Sequence, residues 1–339
     1  MRILGPAIDP ESLTRKRSQP HYFDGYHVRE EGVDKTGAGA REEQIPQHIQ
    51  DLIDALKDSD VNVRFRAALA LDTMGKEART AVPALIAVLK NDPNAGVRFQ
   101  AALTLSNMGE EAVPALVAAL KDPDDEDVRF RAAWALGMIG KEASSAIPDL
   151  VAALTDSNAD VRFKAAWALG MIGKEASSAI PDLVAALTDS NADVRCNAAQ
   201  ALGLIGKEAS AVVVPVLIAA LKDPSADVRS NAAAALGHMG KEASAAIPDL
   251  VAALKDPNAD VRYAAICALG WIGKEAVPVL VAALNNHDQD VRCGTAWALG
   301  IMEKEASAAV EALTIIASED SVAVVRVAAQ DALEAIQDS

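Results

Sequence analysis

The sequence predicts an all-α fold, a solenoid superhelix of about nine stacked helix pairs that follows an irregular N-terminal tail. Three observations support this prediction. A Val-Arg pair recurs every 30 to 34 residues, each period holds two stretches with helical spacing of apolar residues, and aromatic residues are scarce. Of the 339 residues, 51% are hydrophobic but only 4% are aromatic. Such an apolar chain is not disordered, and periods of this length are typical of solenoids.

Each repeat is marked by an arginine that lies near the start of the second of its two predicted helices. The nine arginines are Arg64, Arg98, Arg129, Arg162, Arg195, Arg229, Arg262, Arg292 and Arg326. The repeats that begin at Arg129 and Arg162 differ at a single place, where Arg131 corresponds to Lys164. This near-identity indicates a duplication within the chain.

The second helix of the repeat around Arg162 illustrates how its ends are predicted. We expect Asp160 to cap its N-terminus, because a carboxylate there accepts hydrogen bonds from free first-turn amides. Gly173 suits the left-handed conformation that follows a helix end. Six repeats also carry a glycine eight residues after the arginine, where glycine costs about 1 kcal/mol of helix propensity. We therefore expect close backbone packing at Gly137, Gly170, Gly203, Gly237, Gly270 and Gly300.

The first helix of each pair follows a short linker, such as residues 174–176. In the example repeat, apolar side chains recur at helical spacing from Ile180 to Leu187. Pro181 either lies in the first turn of this helix or kinks it, since proline lacks the amide hydrogen. Residues 1–45, by contrast, combine Gly and Pro with no periodicity, which predicts an irregular tail before a repeat region at 46–339.

Two sequence motifs recur along the repeat region. Asp-Val-Arg-x-x-Ala-Ala-x-Ala-Leu-Gly-x-Ile-Gly occurs at 160–173 and 193–206, and Pro-x-Leu-Val-Ala-Ala-Leu occurs at 181–187 and 248–254. Over residues 46–339 these motifs resemble the HEAT-repeat family, in its short phycobilisome-lyase type. The resemblance implies that the second helices line a concave groove, and that an aspartate in the inter-helix turn pairs with the arginine of a stacked repeat.

Two repeats depart from the aspartate pattern of the family. Asp122 lies seven rather than six residues before Arg129, and Asn286 replaces the aspartate before Arg292. We expect irregular stacking at these two places.

The positions one, five and nine residues after each arginine vary from repeat to repeat and form one stripe along the second helix. All four tryptophans, four of the five phenylalanines and one of the three tyrosines fall on this stripe. Aromatic side chains mostly bury, but a core residue should repeat with the unit, and these do not. We therefore predict a partner-binding groove formed by the stripe and its neighbours: Phe65, Arg66, Phe99, Phe130, Arg131, Trp134, Met138, Phe163, Lys164, Trp167, Met171, Tyr263, Trp271 and Trp297.

The remaining aromatic residues, Tyr22, Phe23 and Tyr26, lie in the predicted tail. The tail is interpreted either as a flexible leader or as a docking segment. In the second interpretation, its three aromatic side chains bind a partner protein or the chain's own groove.

Catalytic motifs are absent from the sequence. No histidine is followed by glutamate, which excludes the His-Glu pairs of the HEAT-type di-iron hydroxylase and the zinc-protease spacing, and no phosphate loop or nucleophile elbow occurs. The three cysteines, Cys196, Cys267 and Cys293, lie in different repeats. Their small, odd number fits a reducing compartment, the cytoplasm. We predict neither catalysis nor a metal nor a cofactor, and no apolar run reaches the ~18 residues of a membrane span.

The leading functional hypothesis is a non-enzymatic protein–protein interaction scaffold whose groove binds an extended or helical segment of a partner. The basic flank of Arg66, Arg131 and Lys164 favours an acidic partner. The alternative, which the family resemblance implies, is a bilin lyase or chaperone-like factor that holds tetrapyrrole propionates on Arg66 or Arg131. A formal net charge of -16 speaks against nucleic acid as the main partner.

Overall fold

The computed structural model of the protein describes residues 45–339, and within them every regular element is a helix. The tail candidates Tyr22, Phe23 and Tyr26 lie outside the described residues. The α-helices are α1 (Gln47–Ala55), α2 (Val61–Met74), α3 (Val82–Asn91), α4 (Ala95–Asn107), α5 (Val113–Leu120), α6 (Glu126–Ile139), α7 (Ile147–Ala153), α8 (Ala159–Ile172), α9 (Ile180–Ala186), α10 (Ala192–Ile205), α11 (Ser210–Ala220), α12 (Ala226–Met239), α13 (Ile247–Ala253), α14 (Ala259–Ile272), α15 (Val277–Ala283), α16 (Gln289–Ile301), α17 (Val310–Glu319) and α18 (Ala323–Gln337).

These helices form consecutive pairs, so the all-α solenoid of about nine repeats is confirmed. Odd-numbered helices are the first members of the pairs, and even-numbered helices are the second members and carry the repeat arginine. Of the two predicted alternatives for Pro181, a place in the first turn or a kink, the structure shows the first: it lies in the first turn of α9. The linkers before the first helices are short 3₁₀ segments: Gly75–Ala81, Gly109–Ala112, Gly140–Ala146, Gly173–Ala179, Lys207–Ala209, Gly240–Ala246, Gly273–Ala276 and Glu303–Ala309.

The turn from a second helix into its 3₁₀ segment requires a positive φ in most repeats. Gly173 has φ 80° and ψ -146°, close to a region that is open essentially only to glycine. The predicted positive φ is confirmed, although ψ is extended rather than left-handed helical. Glu303 takes this place in the eighth repeat with φ 53°. Gly206 departs with φ -87°, and it precedes α11, the longest first helix, which contains Pro215.

The helix caps correct one prediction. Asn158, not Asp160, caps α8, because its side-chain oxygen accepts hydrogen bonds from the amides of Asp160 and Val161 at 2.8 and 3.3 Å. Asp160 lies two residues later, in the first turn, where its charge complements the helix dipole. Asparagine or aspartate side chains at the equivalent position cap α2, α4, α6, α10, α14 and α16.

Glycine allows neighbouring second helices to approach backbone to backbone. A methyl group added at Gly203 would lie 2.6 Å from Cα of Ala235 in the next repeat, and one added at Gly237 would lie 2.9 Å from Cα of Ala268. Both distances are well below van der Waals contact, so the close packing predicted for these glycines is confirmed. The alanines that they meet, Ala235 and Ala268, are buried.

The two helix layers are packed unequally. Consecutive second helices contact each other along much of their length, whereas consecutive first helices meet at few positions. A stack whose layers differ in spacing bends toward the tighter layer. We infer that the second helices lie on the inner side of the bend.

An arginine–aspartate ladder connects the turns of successive repeats. Arg162 donates from Nε and Nη2 to the carboxylate of Asp189 in the next repeat at 2.7 and 2.9 Å, and from Nη1 to the backbone oxygen of Asp156 at 2.9 Å. The Arg162 hydrogen bond lowers the pKa of Asp189 and outweighs the opposing effect of burial. The pairing that the family resemblance implied is thereby confirmed. The same two-bond pair joins Arg64 to Asp92, Arg129 to Asp156, Arg195 to Asp223, Arg229 to Asp256 and Arg292 to Asp320.

The first predicted irregularity lies between the second and third repeats. Arg98 pairs with Asp127 at 3.0 Å, whereas the shifted Asp122 binds Lys90 at 2.7 Å. The extra residue before Arg129 thus moves the aspartate out of reach of the ladder arginine. The second helices α4 and α6 pack over a shorter stretch here than those of the central repeats.

The second irregularity lies between the seventh and eighth repeats, where Asn286 stands at the ladder position. Within residues 45–339, the hydrogen bonds of the Arg262 side chain go only to the backbone oxygens of Asp256 and Pro257, at 2.7 and 3.2 Å. The helices α14 and α16 also pack over a shorter stretch than their central counterparts. Both predicted irregularities are confirmed.

The stretch Ala259–Ala283 is long and apolar enough to cross a membrane by length and composition, but 61% of its apolar window is buried inside the fold. It comprises α14, a 3₁₀ turn and α15. Packing in the solenoid core accounts for its apolar character. A second stretch, Ala192–Ile205 with Lys207–Ala220, passes the same test only if two helices bent by 91° are joined.

Candidate protein-binding face

The variable stripe forms an open face along the second helices. Its aromatic members are all exposed or partly buried, whereas the repeated alanine and leucine positions beside them are fully buried. Phe99 and Tyr263 are each 47% exposed. The stripe holds more than half of the large apolar side chains that are exposed in the described chain: Phe65, Leu69, Phe99, Met138, Leu204, Tyr263, Trp271 and Val327.

Five of the predicted aromatic residues are half-buried rather than open, so the core interpretation is right for part of their surface. Trp167 illustrates the cause. It lies across Gly137 of the preceding repeat, where an added methyl group would lie 2.8 Å from the indole Cε3 atom. The glycine pattern carried this signal, because a glycine on one helix leaves room for a ring from the next. The five residues are Phe130, Trp134, Phe163, Trp167 and Trp297.

The third and fourth repeats hold most of an N-terminal aromatic cluster, which we define as Phe99, Phe130, Trp134, Phe163 and Trp167. The rings of Phe99 and Trp134, from neighbouring repeats, lie 5.1 Å apart between centroids and are tilted by 34°. This is a favourable distance for an aromatic pair. The cluster therefore continues across the junctions between repeats instead of standing as separate side chains.

The predicted basic flank is only partly free, which corrects its sequence interpretation. Arg131 donates to the carboxylate of Asp127 at 2.8 Å, one helical turn earlier on α6. Arg66 is exposed. Lys164 forms no ion pair within the described chain, and its ammonium lies over the aromatic cluster. The carboxylate of Asp127 thus neutralises Arg131, one of the three cations expected to face a ligand.

The middle of the stripe, in the fifth and sixth repeats, lacks aromatic residues. Asn197, the residue after the stripe residue Cys196, is buried and donates to the backbone oxygen of Phe163 at 3.1 Å, so it connects two repeats. Cys196 lies 3.9 Å from the backbone oxygen of Asp227 in the next repeat. The first stripe position of one repeat therefore lies beside the first turn of the next second helix.

The seventh and eighth repeats hold a C-terminal aromatic cluster, which we define as Tyr263, Trp271 and Trp297 with His238 beside them. His238 and Trp271 lie 5.4 Å apart between ring centroids. Burial lowers the pKa of His238, so its imidazole is neutral at pH 7. The indole Nε1 of Trp297 is buried and has no hydrogen-bond acceptor in the described chain. The predicted residues Met138 on α6 and Met171 on α8 are exposed and partly buried, respectively.

The thiols on this face are poor nucleophiles. Burial, with the nearby carboxylates of Asp227 and Asp193, raises the pKa of Cys196 to about 11. Burial likewise raises the pKa of Cys293 to about 12, and that of Cys267 is also raised by burial. Since the thiolate is the reactive form, these cysteines are protonated and inert at neutral pH.

Within the described part of the chain, neither a metal-ligand cluster nor the depression between the first two repeats lies on the stripe. Within residues 45–339, no group of three or more His, Cys, Asp or Glu side chains is arranged to hold a metal ion. A shallow depression lies between the first two repeats, beside the ladder pair Arg64 and Asp92. It is lined by first-helix and turn residues and lies away from the aromatic clusters.

Comparison with protein families decides the class of this solenoid. The family described as HEAT repeats matches six overlapping stretches of the chain. The chain belongs to the HEAT-repeat family. The resemblance of the repeated motifs to this family is thereby confirmed. The matched stretches are 49–137, 125–180, 147–214, 180–248, 214–277 and 247–334.

Solved structures of similar fold include Kap95p, which binds RanGDP in one structure and Nup1 in another. The first matches with a TM-score of 0.63 and the second with 0.61, each at 16% identity over 86% of this HEAT-repeat chain. The chain spans about half the length of these relatives, 46% and 47%. At this identity the likeness concerns the fold alone.

The complex of CpcE and CpcF of phycocyanin lyase from Nostoc sp. PCC7120 also matches. The identity is 25%, over 81% of this chain and 98% of the other, with a TM-score of 0.40. A search of curated protein sequences found no match.

Proposed function

We propose that the protein is a non-enzymatic scaffold that binds an extended or helical segment of another protein along the stripe of its second helices. One observation supports this above all: the exposed large apolar side chains concentrate on the variable stripe, while the core positions repeat. Soluble proteins rarely expose contiguous apolar patches without a partner. Variation on one face of an otherwise repeated scaffold is what selection for a particular ligand produces.

The arrangement of the stripe favours a segment rather than a small molecule. Two aromatic clusters are separated by two repeats whose stripe positions hold no Phe, Trp or Tyr. Tryptophan and tyrosine are preferred anchors of protein interfaces. Two anchors with a smoother stretch between them suit a ligand that extends across several repeats.

The titratable groups favour binding over catalysis. The thiols are protonated, His238 is neutral, and no activated nucleophile with a neighbouring base is found among the described residues. Other chains with this fold, such as Kap95p, bind proteins. That comparison supports the proposal only at the level of the fold.

Affinity purification with stripe variants tests the proposal. Trp134→Ala with Trp167→Ala should lower capture of the partner at least tenfold, because buried anchors carry most of the binding energy of an interface. Since both indoles are half-buried, Phe99→Ala with Tyr263→Ala provides a second pair at exposed positions, where folding is less affected. Val212→Ala with Ile315→Ala is the matched control.

The control pair removes apolar side chains that are 56% and 50% exposed on first helices, off the stripe. It should leave capture unchanged. If the control pair weakens capture as much as the stripe pairs, or if the stripe pairs have no effect, the proposed face is wrong.

The alternative is a bilin lyase or chaperone-like factor. The structure leaves Arg66 exposed but pairs Arg131 with Asp127, so one of the two expected propionate partners is already engaged. Mixing the protein with a bilin and recording its absorbance separates the two functions. An absorbance shift that Arg66→Ala abolishes would favour the alternative, and an unchanged spectrum would remove it.

A further inference from the structure

The ammonium of Lys164 lies among three aromatic rings of the N-terminal cluster. Its Nζ atom is 4.9 Å from the ring centroids of Phe163 and Trp167 and 5.5 Å from that of Phe130. All three distances fall within the ~6 Å over which a cation is attracted to the face of a ring. Two of the rings belong to the same repeat as Lys164, and the third comes from the repeat before it.

The preceding repeat offers a comparison for this geometry, because segments 129–161 and 162–194 differ only at Arg131 and Lys164. Arg131 pairs with Asp127, four residues earlier. Lys164 has Asp160 at the same separation, exposed and without an ion pair in the described chain. The lysine therefore lies over the rings although a carboxylate is within reach of its helix face.

We propose that Phe130, Phe163 and Trp167 form a cation-binding cage, which Lys164 occupies in the free protein and which receives a lysine or arginine side chain of the bound segment. On binding, Lys164 moves to Asp160, in the geometry that Arg131 and Asp127 already adopt. The identity of the incoming side chain rests on the proposed function. The cage itself does not, because small cations report on it directly.

Two features of the site make this exchange feasible. Lys164 is partly buried without a carboxylate partner, and burial lowers its pKa, so its present place carries a desolvation penalty. The second place, beside Asp160, is solvent-exposed and forms the i, i+4 pair that helices favour. Neither the aromatic cage nor Asp160 binds the Lys164 ammonium strongly. A cationic side chain that makes further contacts along the stripe can therefore displace the Lys164 ammonium from the cage.

The charges around the stripe favour a basic rather than an acidic segment. Aspartates that correspond to Asp160 recur in the first turns of the next four second helices, where they are exposed and form no ion pair within the described chain. Cys196 shows how near they lie to the stripe, since the carboxylates of Asp227 and Asp193 act on its pKa. An acidic segment would be repelled by this row, and a net charge of -16 adds to the effect. The four are Asp193, Asp227, Asp260 and Asp290.

Titration with tetramethylammonium chloride tests the cage in the full-length protein, with sodium chloride at equal ionic strength as the reference. The readout is the indole N–H resonance of Trp167, assigned with Trp167→Phe. Lys164→Ala vacates the cage and should strengthen tetramethylammonium binding about fivefold, the effect of one cation–π site. Asp160→Asn removes the second place for Lys164 and should weaken it.

Arg131→Ala is the matched control, because it removes a cation at the same position of the near-identical repeat without touching the cage. It should leave tetramethylammonium binding unchanged. Phe163→Ala removes one ring of the cage but keeps the Trp167 reporter, and it should weaken tetramethylammonium binding about fivefold. Equal or weaker binding in Lys164→Ala, or a response confined to the Trp271 resonance, would overturn the proposal.

A pair of peptides then identifies the partner's side chain. A lysine-rich amphipathic peptide should bind Lys164→Ala more tightly than wild type, whereas a glutamate-rich peptide of the same apolar pattern should bind neither. If the glutamate peptide binds wild type and loses affinity in Lys164→Ala, the lysine pairs with a partner carboxylate and the cage proposal is wrong. Failure of the scaffold function would leave the tetramethylammonium result intact, so the two proposals fail separately.

Discussion

Arg262 lacks the carboxylate that its counterparts in neighbouring repeats receive, because Asn286 stands where the ladder has an aspartate. The side-chain oxygen of Asn286 already accepts a hydrogen bond from the backbone amide of Asp288 at 2.9 Å. Asp256, at the same position one repeat earlier, accepts the equivalent amide of Asn258 at 2.9 Å and also binds Arg229. A carboxylate at position 286 therefore keeps the turn and adds a charged pair.

We expect Asn286→Asp to stabilise the protein by about 1 kcal/mol, the typical contribution of a hydrogen bond to a charged group in a partly exposed pair. Urea unfolding followed by circular dichroism at 222 nm measures the change. Asp256→Asn is the matched control and should destabilise by a similar amount. A loss of stability in Asn286→Asp would show that the ladder geometry does not extend across this junction.

At the residue scale the sequence predicts types of position better than individual partners. The ladder arginines and close-packing glycines follow from the period. The cap of α8 was misplaced by two residues, because Asn158 and Asp160 have nearly equal preference for the capping position. The pairing of Arg131 was missed because Asp127 has no distinguishing signal beyond its i, i+4 spacing.

At the element scale, contact between second helices depends on glycine in one repeat and alanine in the next. We expect Gly203→Ala to destabilise the protein by about 1–2 kcal/mol, because overpacking a contact this close costs about 2–3 kcal/mol against a ~1 kcal/mol gain in helix propensity. The measurement is the urea midpoint of unfolding. Stabilisation by this substitution would show that the helices separate freely at this contact.

Ser106→Ala is the matched control for the helix contact, since Ser106 occupies the glycine position in the second repeat. Its hydroxyl donates to the backbone oxygen of Leu103 at 2.7 Å, within its own helix. We expect a change below about 1 kcal/mol, because such back-bonding adds little to helix stability. A large loss here would mean that this position is sensitive in every repeat, whatever its side chain.

The sequence predicts the pairing of the helices well, and it predicts the burial of their side chains less well. Helical spacing correctly predicts the paired helices, and the glycines correctly predict where second helices approach each other. Half-burial of Trp167 could not be predicted from its own helix, because the space that it fills is created by Gly137 on another helix. Packing between repeats depends on the residues of two neighbouring repeats together, so it cannot be predicted from the pattern of one repeat.

At the scale of the whole molecule, the ladder couples stability to pH. Hydrogen bonds from the ladder arginines hold the pKa values of aspartates such as Asp189 and Asp256 below the usual value of 3.8. A carboxyl whose folded-state pKa is depressed stabilises the fold above its unfolded pKa, and this contribution is lost as the pH falls through the folded-state value. Stability should therefore fall below about pH 4.

The comparison of wild type with Asp189→Asn isolates the ladder contribution. The variant should be less stable than wild type at pH 7, and the difference should shrink as the pH falls below about 4, since the wild-type carboxyl is then protonated as well. Urea unfolding at pH 7, 5, 4 and 3 measures it. A difference that stays constant over this range would contradict the role of the charged pair.

The solenoid can be predicted from the sequence because each repeat carries the same residue pattern. An error in interpreting one repeat is outweighed by the agreement of the others. A binding face is predictable only as the set of positions whose residues vary from repeat to repeat. Its charge required the structure, since the free cations and carboxylates are determined by pairs such as Arg131 with Asp127.

Site-specific photo-crosslinking in the native host tests the central claim, that the second-helix stripe is the partner-binding face. A photoreactive amino acid is placed at Phe99 and at Tyr263 on the stripe, and at Val212 and Ile315 on first helices as controls. We predict that both stripe positions crosslink the same protein and that the two controls do not. Crosslinks to that protein from Val212 or Ile315, with none from the stripe, would contradict the account.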